Sequence, residues 1–130
     1  MAYKSIFLLL WVILLFSQGA GFAKNVDPEK PFRDSWCAEH GGRTDVLLPG
    51  GGRAHCVTET HAVEFSFAAH WDRALGRALV HGMRAGKTPG VVLILREEKE
   101  FKNWIELVST ISHFNLPVTP WLTGKGAREY

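Results

Sequence analysis

Apolar positions change their period several times along the chain, and each change marks an element. Phe32, Trp36 and Cys37 recur at helical spacing until Gly41-Gly42 interrupts them, which predicts a short helix. Thr44 to Leu48 and Arg53 to Thr58 are brief strand-like runs separated by Pro49-Gly50-Gly51-Gly52, so together they predict a hairpin. From His61 to Phe67 the pattern alternates, with Val63, Phe65 and Phe67 on one face and Ala62, Glu64 and Ser66 on the other, as in a third strand. Trp71, Ala74, Leu75, Ala78, Leu79 and Met83 then form one stripe of an amphipathic helix that ends at the loop from Gly86 to Gly90.

Val91 to Leu95 is a continuous apolar run, the pattern of a strand buried on both faces, which usually pairs in parallel after a helical crossover. Phe101, Trp104, Ile105, Val108, Ile111 and Phe114 predict a last helix, and Pro117 to Leu122 a short edge strand limited by its prolines. The order αβββαβαβ predicts an α/β fold, a small single-domain sandwich with a mixed sheet flanked by helices. Residues 24–35 read as a lead-in, 36–122 as the domain and 123–130 as a C-terminal tail.

The N-terminus changes the picture of where this domain works. Lys4 precedes an unbroken apolar run from Ile6 to Phe16, followed by small and polar residues ending at Gly21-Phe22-Ala23. Residues 1–23 therefore read as a secretory signal peptide, with an uncleaved anchor as the alternative. Cleavage places the protein outside the cytoplasm, secreted or periplasmic, with no membrane attachment. In such a compartment the pair Cys37 and Cys56 reads most simply as a disulfide, a free buried thiol being the alternative. With 46% hydrophobic and 22% charged residues the chain is not disordered, and 15 Lys+Arg against 13 Asp+Glu leave no basic run that would mark a nucleic-acid footprint.

Polar residues that interrupt the apolar strands are the candidate chemistry: Asp45 in the first, His55 in the second and Glu64 in the third. A mid-strand carboxylate beside an imidazole on the next strand can bind a divalent cation. Equally, Glu64 shares its face with Ala62 and Ser66, which reads as the wetter side of the sheet. His40, His70 and His81 fall near helix ends or loops and read as solvated or capping groups. Trp71, Phe101 and Trp104 lie on helical core stripes, and no metalloprotease, serine-hydrolase or phosphate-cradling signature occurs.

The segment from Arg53 to Phe65, with Cys56-Val57-Thr58-Glu59-Thr60-His61-Ala62-Val63-Glu64 at its centre, together with Trp36-Cys37, Gly41-Gly42, Trp71, Ala74-Leu75-Gly76 and Pro89 to Ile94, resembles a family of small bacterial and phage-associated proteins. That family resembles a branch of the PD-(D/E)XK, or restriction-endonuclease-like, nucleases. The resemblance covers Trp36 to Trp121 and implies metal-dependent phosphodiester hydrolysis, with nucleic acid as partner. On the nuclease reading Asp45, His55 and Glu64 are the metal ligands and Glu64 with His70 the catalytic residues, Asp45 from its place in the first strand and the others from positions of the family's pattern. Glu64 matches the third-strand acid of the family. The chain departs elsewhere: His55 stands for an Asp, Ser66 for an acid, His70 for a Lys and Arg77 for a Gln. Imidazole in place of carboxylate disfavours magnesium and leaves manganese or zinc as the softer options. The expectation is a degraded or altered, non-catalytic site, the alternative an active secreted nuclease. Protein recovered from outside its host cell is expected to begin at Lys24, and an intact mass that still contains Lys4 would overturn the leader reading.

Overall fold

The computed structural model describes residue 21 and residues 25–127, so the expected leader lies outside the described residues. The elements are α1 (Lys30–Glu39), β1 (Arg43–Leu47), β2 (Arg53–Val57), β3 (His61–Phe67), α2 (Trp71–Ala85), β4 (Thr88–Ile94), α3 (Phe101–His113) and β5 (Thr119–Thr123). This is the α/β sandwich and the element order that the hydrophobic pattern predicts. The first helix begins at Lys30, inside the stretch read as a lead-in, because Pro31 occupies its first turn, where a missing N–H costs nothing.

One five-stranded sheet runs in the order β1-β2-β3-β4-β5. β1, β2 and β3 form an antiparallel meander, whereas β3, β4 and β5 are parallel. Parallel neighbours need crossovers, and α2 and α3 supply them, both on one face of the sheet. There Ala74, Leu75 and Ala78 of α2 and Leu107 of α3 close over Val91, Leu93 and Leu95. On the opposite face Trp36 and Cys37 of α1 pack against Cys56, Val63, Phe65, Val92 and Ile94. β3 and β4 are thus covered on both sides, as the unbroken apolar run of β4 requires.

Two stripes differ from their predicted phase. Met83 is exposed, and the buried line of α2 continues through His81 and Gly82 instead. On α3 the fully buried residue is Leu107, with Phe101, Trp104 and Ile111 packed around it and Ile105 and Phe114 exposed. Among the described residues no helix is long and apolar enough to cross a membrane.

Cys37 and Cys56 are joined, with Cα atoms 5.9 Å apart, so the bridge ties α1 to β2. Closing a loop of this size restricts the unfolded chain by about 3 kcal/mol in the loop-entropy model. Reduction is expected to remove that amount from the unfolding free energy, read from urea denaturation with and without reductant. An unchanged midpoint would show that packing alone holds α1 on the sheet.

Candidate functional site

Alternation along β3 sends Glu64 to the α2 face between Ala62 and Ser66, but α2 covers that face completely and the carboxylate is 0% exposed. It is buried rather than wet because Ala74 and Ala78 are small enough to let the helix approach the strand. A buried carboxylate needs partners, and three bases surround it. His81, two turns along α2 from Ala74, donates its Nδ1–H to Oε1. His55 Nδ1 lies 3.2 Å from Oε2, and Arg77 Nη1 lies 3.9 Å from the same oxygen.

The contact between His55 and Oε2 has an unusual character. The β2–β3 ladder ends at Cys56 opposite Val63, and one step further the Phe65 N–H donates to His55 Nδ1 at 3.0 Å instead of to a backbone carbonyl. Nδ1 is therefore an acceptor, and it faces an Oε2 that is buried without a hydrogen bond of its own. That N–H takes the single in-plane lone pair of Nδ1, so the 3.2 Å approach of Oε2 is a contact between two acceptors rather than a hydrogen bond. Burial pushes the Glu64 carboxyl above its ordinary value, opposed by His81 and Arg77. Burial, helped by the positive field of Arg33 and Arg77, pushes the His55 imidazole down from 6.5 to about 4. Both shifts run toward the neutral forms of the two groups.

The β1–β2 turn closes the site from above. Arg84 Nη1 donates to the Gly51 carbonyl at 2.9 Å, which pins the turn on α2. Gly52 then lies over His81: a Cβ there would come within 3.0 Å of Nε2, and its φ of +83° disfavours any side chain.

The structure brings together His55 and Glu64 of the residues read as ligands. Asp45 does not join them. It is exposed on β1 with φ 52°, its carbonyl accepts from Arg53 Nη1 at 3.0 Å, and it acts on His55 only through its charge. His70 is exposed on the turn ahead of α2 and forms no hydrogen bond or ion pair with Glu64. His81, read from the sequence as solvated or capping, is 7% exposed and is the closest partner of Glu64. Its spacing of three from Ala78 and seven from Ala74 is the signal that places it on the buried face of α2.

These residues do not fit a hard divalent cation. Glu64 supplies the single carboxylate, Nδ1 of His55 and of His81 are both engaged within the protein, and the Arg77 guanidinium already provides positive charge beside Oε2. Among the described residues no group of three or more His, Cys, Asp or Glu side chains is arranged to hold a metal ion. Comparison with models of protein families, with curated proteins and with solved structures found no match to this chain.

The shifts at His55 and Glu64 have opposite consequences for stability. An unfolded imidazole gains its proton near 6.5 while the folded one resists down to about 4, so acidification across that interval favours unfolding. The effect is worth up to about 3 kcal/mol. Glu64 acts the other way, because above pH 4.5 the unfolded carboxyl has lost a proton that the folded one keeps. Replacing His55 by Asn, which retains an acceptor for the Phe65 N–H, is expected to flatten the loss of stability between pH 6.5 and 4. Glu64→Gln, which removes the opposing titration of the carboxyl, is expected to steepen it, with urea midpoints across pH as the measurement.

Proposed function

We propose that this chain is an exported, disulfide-stapled binding domain with a restriction-endonuclease-like core that does not hydrolyse phosphodiesters. The observation that carries this reading is the environment of Glu64: the acid that would hold a cation is fully buried and turned toward imidazoles and a guanidinium. Hydrolysis of this type needs carboxylate oxygens that converge on a metal and a water from the open side. Here His55 replaces one such carboxylate, Ser66 points its hydroxyl to the Phe67 carbonyl at 2.9 Å, and Arg77 adds fixed positive charge. The bridge between Cys37 and Cys56 supports a working place in an oxidising compartment.

One observation favours the second reading, an active metal-dependent secreted nuclease: Oε2 of Glu64 is buried without a hydrogen bond, as a ligand oxygen without its metal would be. The Arg77 guanidinium 3.9 Å from that oxygen already supplies positive charge there, so the non-catalytic reading needs no further component.

The purified, oxidised protein is expected to leave single- and double-stranded DNA intact with magnesium, manganese or zinc, and its melting temperature is expected not to rise with magnesium. The pair His55→Asp and Arg77→Gln places a second carboxylate by Glu64 and removes the competing cation, so its melting temperature is expected to rise with magnesium. Wild-type cleavage that disappears in Glu64→Gln would overturn the non-catalytic reading and establish the second.

A further inference from the structure

We draw no further inference here: the strongest candidate, the side-chain cluster of Thr60, His61 and Thr119 beside the cleft between α1 and β5, engages both imidazole nitrogens with hydroxyls that tie the β2–β3 turn to β5, and nothing in the structure shows what it would bind or act on.

Discussion

The buried Glu64 carboxylate is the constraint on which the arrangement of this domain depends. An ionised carboxylate in the middle of a sheet loses its hydration, and the loss is several kcal/mol before any partner is counted. Each neighbouring element carries part of the compensation. α2 brings His81 to Oε1, β2 brings His55 to Oε2, and the β1–β2 turn lies over His81 where Gly52 leaves space. The helix, the strand and the turn are thereby fixed relative to one side chain. Removing one partner of such a cluster leaves an uncompensated buried group, which typically costs about 3 to 5 kcal/mol. Burial also pushes the carboxyl toward its neutral form, which lowers the charge that the interior must compensate.

Most of the fold was legible because it rests on periodicity. The alternation in β3, the apolar run in β4 and the glycines between β1 and β2 report burial and turn geometry directly, and the structure keeps all of them. What periodicity does not carry is the environment of a polar residue. Glu64 shares a face with Ala62 and Ser66, a pattern that an exposed face and a face closed by a small-residue helix both produce. The deciding information sits on α2, where Ala74, Ala78 and His81 share a line. Met83 drew the predicted stripe to one side of that line because methionine is apolar, although it ends up exposed. Asp45 was misleading for a related reason: a polar residue in a strand also marks a local break, and its left-handed backbone turns the chain there rather than aiming a ligand inward.

The sheet divides the molecule into two chemical faces. On the α2 side a single acid is enclosed by bases and lies beneath a glycine turn. On the α1 side aromatic rings and the disulfide build a rigid wall with hydrogen-bonding groups at its rim. β2 connects the two, since Cys56 faces α1 while His55, its neighbour, faces Glu64. The bridge from Cys37 to Cys56 therefore positions the aromatic face and the acid site through one backbone step.

On the proposed non-catalytic reading, that coupling bears on how such a core holds together without a metal. In a working metal site the carboxylates point toward solvent and repel one another until a cation arrives, so the empty state is strained. His55 beside Glu64 brings no such repulsion, and Glu64 is held by the protein's own bases. On the proposed reading, an imidazole at this place would also lack the oxygen lone pairs that a hard cation prefers. Arg77 completes the change, because its guanidinium supplies permanently the charge that a cation would bring on binding. Stability and metal chemistry compete for the same two oxygens of Glu64, and the geometry around them assigns both oxygens to the fold.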